Sequence, residues 1–249
     1  MIVRAIKTPL VKPYDDLHKV IRSSANKIPE RSVLAVTSKI ISYCQGSLIE
    51  KKRKNINKKH KIVKQEADLY LEPHSSKYNL MLTVKNYTLA VYAGVDESNA
   101  DGYYVLWPKD LQETANSIWK FLRTEYQLKY VGVVITDSKT TPYRWGVTGT
   151  CIAHCGFKAL IDWRGKPDLF GYHLTMVQVN IAESVASAAV FEMGEVAEQT
   201  PLAVVKQIKD IEFQDRVPSN KELQELIIEM DDDVYAPLLQ KGDWQKGGE

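Results

Sequence analysis

Two apolar runs of this chain each end on an aspartate: Ala93-Gly94-Val95-Asp96 and Ile135-Thr136-Asp137. A carboxylate directly after a buried strand sits at the sheet edge, where a ligand can reach it, and Ser138 adds a hydroxyl beside Asp137. Oxygen donors of this kind suit Mg²⁺ or Mn²⁺, which bind through one or two carboxylates together with substrate phosphates. Aspartates also close Asx turns after strands, so spacing alone leaves a structural role open beside the metal role.

The other chemical motifs are weaker. Neither G-x-x-x-x-G-K-[ST] nor a G-x-G-x-x-G following a strand occurs. Arg164-Gly165-Lys166-Pro167 lacks both the upstream glycine and the hydroxyl. Cys151-Ile-Ala-His154-Cys155 offers three ligand atoms in one short span, but no second cluster completes a tetrahedral zinc site. On a regular strand Cys151 and Cys155 share one face and His154 the other, which favours buried thiols. No G-x-S-x-G, H-E-x-x-H or nucleophilic Cys–His context is present. Residues 51–64 carry eight Lys/Arg and no acid. They lack interleaved aromatics for stacking on single strands, so a solvated, mobile basic segment is expected and nucleic-acid binding is not.

The elements that must position these groups follow from periodicity. Ile2–Ile6 alternates as a first strand, Thr8–Pro13 breaks it, and Asp15-Asp16 opens a helix with Leu17, Val20 and Ile21 on one face. Val33–Val36 is a β-branched strand that Ile40 and Ile41 extend toward Gln45-Gly46. Met81–Val84 and Thr88–Ala93 form a hairpin across Lys85-Asn86-Tyr87. Leu111, Ala115, Ile118, Phe121 and Leu122 line one face of a long helix. Val131–Ile135 is a strand buried on both sides that stops at Thr136-Asp137-Ser138, and residues 146–163 form further strands. Asn180–Met193 is a second long helix whose Ala182, Ser184, Ala186, Ser187, Ala188 and Ala189 admit close backbone approach. A helix near Glu222–Glu229 precedes a fraying tail, 231–249.

The 249 residues are 44% hydrophobic and 26% charged, with Lys+Arg 33 against Asp+Glu 31. That is globular composition, and it excludes disordered, collagen-like and coiled-coil classes. No apolar run reaches the roughly 20 residues of a membrane span, no signal-peptide pattern opens the chain, and the cysteines number 3. The expectation is a reduced cytoplasmic protein forming a single unit over residues 1–249, with two intertwined subdomains at most.

Read together, Pro9–Pro13 with Asp15-Asp16-Leu17, Ala93–Asn99, Val134–Ser138 followed by Pro142–Gly146, Asp162–Gly165 with Asp168–Gly171, and Met193-Gly194-Glu195 before Pro201 resemble the coenzyme F420-0:L-glutamate ligase family. The resemblance spans residue 2 to about 205, and Ala-Gly-Val-Asp-Glu-Ser-Asn is its most specific part. It implies an α+β fold of mixed sheets and packed helices in an intertwined homodimer. It further implies a γ-glutamyl ligase that uses GTP, or ATP, with two Mg²⁺ or Mn²⁺ ions. The residues matching the family's metal ligands are Asp96 and Asp137 for one ion, Ser138 and Glu195 for the other. Those matching its nucleotide contacts are Thr8, Pro9, Leu10 and Val11, Ser38 and Lys39, Asn99, and the stretch Met193, Gly194 to Thr200. Asp137 and Arg144 are the candidate catalytic groups, Arg144 because a guanidinium grips phosphate or carboxylate bidentately.

Three departures stand out. Tyr43 occupies a position usually held by a nucleotide-contacting lysine, Thr136–Thr141 loses a glycine and an arginine, and Val196-Ala197-Glu198-Gln199 is poor in glycine. Lys39 or Lys139 is a candidate to replace the missing charge. The acceptor implied is a carboxylate on a deazaflavin (the F420-0 type). A folate-type pterin acceptor served by the same chemistry is the alternative, and a relative that binds nucleotide or polyanion without catalysis is the third reading.

Overall fold

The computed structural model describes residues 1–51 and 56–248. Along the chain lie β1 (Ile2–Ile6), α1 (Leu17–Ser24), β2 (Ser32–Thr37), α2 (Ser38–Gln45), β3 (Leu48–Glu50) and α3 (Ile56–Glu66). Next come β4 (Leu69–Tyr70), β5 (Leu82–Lys85), β6 (Thr88–Val91), β7 (Tyr103–Val105), α4 (Leu111–Glu125), β8 (Val131–Thr140) and β9 (Val147–Cys155). The remainder is β10 (Leu160–Asp162), β11 (Gln178–Asn180), α5 (Ile181–Met193), β12 (Leu202–Lys206), α6 (Asn220–Gln224), α7 (Ala236–Leu239) and β13 (Gln245–Lys246). The class is α+β: a five-stranded sheet in order β1-β12-β2-β8-β9, a four-stranded sheet β13-β4-β5-β6, and two pairs, β10-β11 and β3-β7.

The five-stranded sheet is antiparallel except for β2 beside β8. Its central stretches, Val33–Val36, Val133–Ile135 and Leu202–Val205, are continuously apolar and buried because both faces are covered there. The period of two sends Leu34 and Val36 to one side with Val133, Ile135 and Leu202, under α1, α2 and α4. It sends Val33, Ala35, Val134, Ala203 and Val205 to the other, under α5. The small residues of α5 do what their size suggests. A Cβ at Gly149 of β9 would lie 2.5 Å from the Ala186 carbonyl oxygen and 2.6 Å from Val190 Cβ, so helix and strand backbones meet there.

Several local expectations change. Ile40 and Ile41 do not prolong β2: the chain turns helical at Ser38, and both side chains enter the core from α2. β8 does not stop at Thr136. A register shift between Ile135 and Thr136 keeps it paired with β9 out to Thr140 opposite Val147, so Asp137 and Ser138 project from a strand rather than a loop. The same bulge skips Ile152 and reverses the alternation in β9. Cys151 therefore packs on the α5 side and Cys155 on the α4 side, with His154 against Phe157. The cysteines are free.

The tail is ordered: β13 pairs with β4, and Trp244 Nε1 donates to the Leu239 carbonyl at 2.7 Å. The expected helix over Glu222–Glu229 shrinks to α6, opened by a Ser219–Glu222 capping box. Of the basic run, 52–55 lie outside the described residues, while α3 buries Lys59, His60, Ile62 and Val63, so that face is packed rather than solvated. Among the described residues no helix is long and apolar enough to cross a membrane.

Candidate active site

Strand register decides where the candidate residues meet. Ile6 lies opposite Leu202, Leu202 opposite Val36, and Val36 beside Ile135. The exits of β1 and β2, the entry of β12 and the outer half of β8 therefore share one edge of the sheet. That edge gathers Thr8–Val11, Ser38-Lys39, Thr200 and Asp137-Ser138, segments far apart in the chain; Thr8 and Gln199, which bond to each other there, are 191 residues apart.

Hydrogen bonds join them. Thr8 N donates to the Gln199 carbonyl at 3.2 Å, and Gln199 Nε2 donates back to the Thr8 carbonyl at 2.7 Å. Thr200 Oγ1 donates to the Met193 carbonyl at 2.5 Å, and Thr37 N to the Pro201 carbonyl at 3.0 Å. Asn99 Nδ2 donates to the Val196 carbonyl, which ties the Asp96–Asn99 loop to the segment after α5. In that glycine-poor segment the Glu198 carboxylate accepts from Val196 N at 2.9 Å and packs against Gly194. Pro9 and Leu10 stand exposed beside it.

The oxygen donors occupy the same edge. Asp96 pairs with Lys39, Nζ to Oδ2 2.6 Å. Its oxygens also accept from Glu97 N at 2.6 Å, Ser98 N at 2.9 Å and Ser98 Oγ at 2.8 Å. Burial opposes ionisation of Asp96, but the Lys39 ammonium and the Ser98 bonds outweigh it and hold its carboxyl below the usual range. Asp137 accepts from Ser138 N at 2.9 Å and from Trp107 Nε1. Burial, with the negative charge of Asp96 adding to it, pushes the Asp137 carboxyl up to about 6 against the bonds from Ser138 and Trp107. The Lys39 ammonium is the positive charge that both carboxyls feel. Ser138 Oγ donates to Glu195 Oε1 at 2.7 Å, joining β8 to the end of α5.

The donor set is therefore all oxygen, the chemistry of a hard divalent ion. Among the described residues no group of three or more His, Cys, Asp or Glu is placed so as to hold a metal ion by itself. An ion at this edge would take one or two carboxylates and complete its shell with phosphate and water, the usual Mg²⁺ arrangement.

Of the candidate residues, the fold brings together Thr8–Val11, Ser38, Lys39, Asp96, Asn99, Asp137, Ser138, Met193–Glu195 and Thr200. It does not bring in Arg144, which is exposed in the β8–β9 turn and donates to the neighbouring Tyr143 carbonyl at 3.5 Å. Of the two lysines considered as substitutes for a missing charge, Lys39 reaches the site, whereas Lys139 pairs with Glu183 at 2.8 Å. Tyr43 is buried against Ala100 and Val105. Sequence reading missed Trp107 as a partner of Asp137, and named Glu198 only as part of a glycine-poor stretch. A tryptophan or glutamate lacks a spacing signature, and both act through contacts made only in the fold.

A family model described as F420-0:gamma-glutamyl ligase matches residues 5–207. The chain is 32% identical to a coenzyme F420:L-glutamate ligase of Methanopyrus kandleri, over 80% of this chain and 83% of that one. It is 29% identical to the protein of that name from Methanocaldococcus jannaschii, covering 82% and 86% of the two chains. With that of Archaeoglobus fulgidus it shares 28% identity over 94% and 95%. The edge carrying Asp96, Asp137, Ser138 and Glu195 lies within the matched region, and the chain belongs to the F420-0:gamma-glutamyl ligase family.

Proposed function

We propose that this protein is a nucleotide- and divalent-cation-dependent ligase that joins L-glutamate through an amide bond to a carboxylate acceptor of the F420-0 type. The observation that carries the reading is the convergence, on one sheet edge, of the oxygen donors Asp96, Asp137, Ser138 and Glu195 with the segments Thr8–Val11, Ser38-Lys39, Asn99 and Met193–Thr200. The acceptor carboxylate attacks the γ-phosphate of GTP or ATP, the bridging P–O bond to the β-phosphate breaks, and GDP or ADP leaves behind an acyl phosphate. The α-amine of L-glutamate then displaces phosphate. Asp96 and Asp137 would hold one Mg²⁺ or Mn²⁺, and Ser138 and Glu195 a second. When bound, these ions supply charge neutralisation at the phosphoryl oxygens. Lys39, at the start of α2, adds a positive charge beside the same oxygens, its ammonium held by Asp96 and the Ser98 carbonyl. Trp107 orients the Asp137 carboxylate, and Asn99 holds the Asp96 loop against the segment after α5.

A homodimer belongs to the same proposal. Tyr143 and Trp145 in the β8–β9 turn, and Leu169, Phe170, Tyr172 and Met176 in the segment between β10 and β11, are all exposed. Apolar groups concentrated on such excursions mark an interface with another molecule, and a second copy is the occupant expected. Light scattering behind a sizing column at micromolar concentration tests this; a monomer that stays monomeric with nucleotide and Mn²⁺ refutes it.

The activity test incubates the protein with GTP or ATP, Mg²⁺ or Mn²⁺, L-glutamate and either a deazaflavin or a pterin acceptor. Mass spectrometry then reads increments of one glutamyl unit. Product with the deazaflavin, lost in Asp137→Asn, supports the reading, and product with the pterin alone moves the substrate to the folate type. Nucleotide binding without product under every pairing supports a non-catalytic role.

A further inference from the structure

Asp96 is aimed by its own loop. Its Oδ1 accepts from Glu97 N at 2.6 Å and from Ser98 N at 2.9 Å, so whatever pins Glu97 also pins the Asp96 carboxylate. The Glu97 side chain is gripped from the basic segment: Lys51 Nζ lies 2.9 Å from Oε2 and Lys59 Nζ 3.4 Å from Oε1. Lys59 comes from α3 and is only 6% exposed. Its ammonium also sits 4.2 Å from the centre of the Tyr92 ring, a cation–π contact that strengthens as water is excluded. Tyr92 opens the turn Tyr92–Gly94, whose three residues have φ of 59°, 52° and 72°. Lys59 thus holds the loop at both Tyr92 and Glu97, while Lys51 N donates to the Gly102 carbonyl at 2.7 Å beyond its far end.

We propose that Lys51 and Lys59, acting through Glu97, are positioning residues that fix the Asp96 carboxylate for cation binding. This gives part of the basic run a task inside the protein. A solvated lysine contributes little to an ion pair because water screens it and its chain entropy opposes fixing. A buried ammonium must keep its partners, and that obligation is what makes the Lys59 grip a rigid one. Residues that orient a ligating carboxylate change metal affinity about 10- to 100-fold when removed. The inference rests on the reading of Asp96 as a cation ligand.

The test titrates the full chain with Mn²⁺ alone, followed by electron paramagnetic resonance, and in parallel measures hydrogen exchange at the Glu97 and Ser98 amides. Glu97→Gln leaves the buried Lys59 ammonium without its carboxylate, so the double variant Glu97→Gln/Lys59→Met, which buries no lone charge, is the second arm. In the double variant Mn²⁺ affinity is expected to fall about 10-fold or more, with faster exchange at the two amides and unchanged exchange in β8. Wild-type affinity and protection in the double variant overturn the proposal. Loss of β8 protection as well overturns it too, because the role is then general stability. If the wild-type chain binds no Mn²⁺, the cation reading of the edge fails, and the exchange result still decides whether Glu97 positions the loop.

Discussion

Gly94→Ala separates a site held by packing from one held only by charge. Gly94 has φ +72°, and a Cβ there would lie 1.9 Å from Trp107 Nε1 and 2.3 Å from the adjacent ring carbon. Non-bonded carbon contacts sit at about 3.5–4.0 Å, so the indole must retreat by about 1.5 Å or the turn must open. Trp107 is buried in the core beneath α4 and has little room to move. The left-handed backbone costs an alanine about 1–2 kcal/mol, and overpacking adds about 1–3 kcal/mol. The expected destabilisation is roughly 2–5 kcal/mol, read as a lower urea midpoint at unchanged slope. Because the same indole nitrogen donates to Asp137, the variant also loses glutamyl transfer. Trp107→Phe keeps most of the packing and removes only the donor, so it should lose activity with a smaller loss of stability. If Gly94→Ala unfolds within about 0.5 kcal/mol of wild type and retains activity, the coupling of turn, indole and carboxylate is wrong.

His154 supplies a pH dependence remote from the site. Burial pulls its imidazole down from 6.5 to about 4. The unfolded chain therefore binds more protons between those values, so the stabilisation is complete above 6.5 and declines as pH falls toward 4, by up to about 3 kcal/mol. Urea unfolding at several pH values should show this slope in wild type and lose it in His154→Gln. Gly149→Val drives a side chain into the Ala186 carbonyl and Val190; a loss of about 1–3 kcal/mol in the same assay is expected, and a neutral result means α5 can lift from β9. Asp137→Asn presents, in one amide orientation, a donor to the Trp107 N–H and removes a charge. Calorimetry with Mn²⁺ should show binding abolished or strongly weakened while the thermal midpoint moves little.

Much of the frame was legible from residue order. β1, α1, β2, the β5–β6 hairpin, α4 and α5 lie where alternation, capping and helical spacing put them, because each has one dominant period and clear breakers at its ends. Asp16 caps α1 and Asn180 caps α5, each accepting a backbone N–H three residues on. Legibility failed where local pattern and tertiary pairing compete. Ile40 and Ile41 suit a strand, yet burial under the sheet is reached by a helix. Thr136–Thr140 reads as a loop, yet the ladder with β9 carries it on as a strand. The tail is polar enough to fray, yet β4 offers it an unpaired edge.

Sequence alone determined which chemistry the chain can support, since the oxygen-bearing side chains are properties of residue type and order. Only the tertiary structure decided which of those groups meet. Strand register, with the bulge between Ile135 and Thr136, aligns four distant chain segments on one sheet edge. It leaves Arg144 on a turn beyond that edge, and it brings Trp107, Lys39 and the Lys51–Glu97–Lys59 grip to the aspartates. The physical reason is that hydrogen-bonded ladders fix relative position across any sequence separation, whereas a linear pattern reports only on neighbours within a few residues.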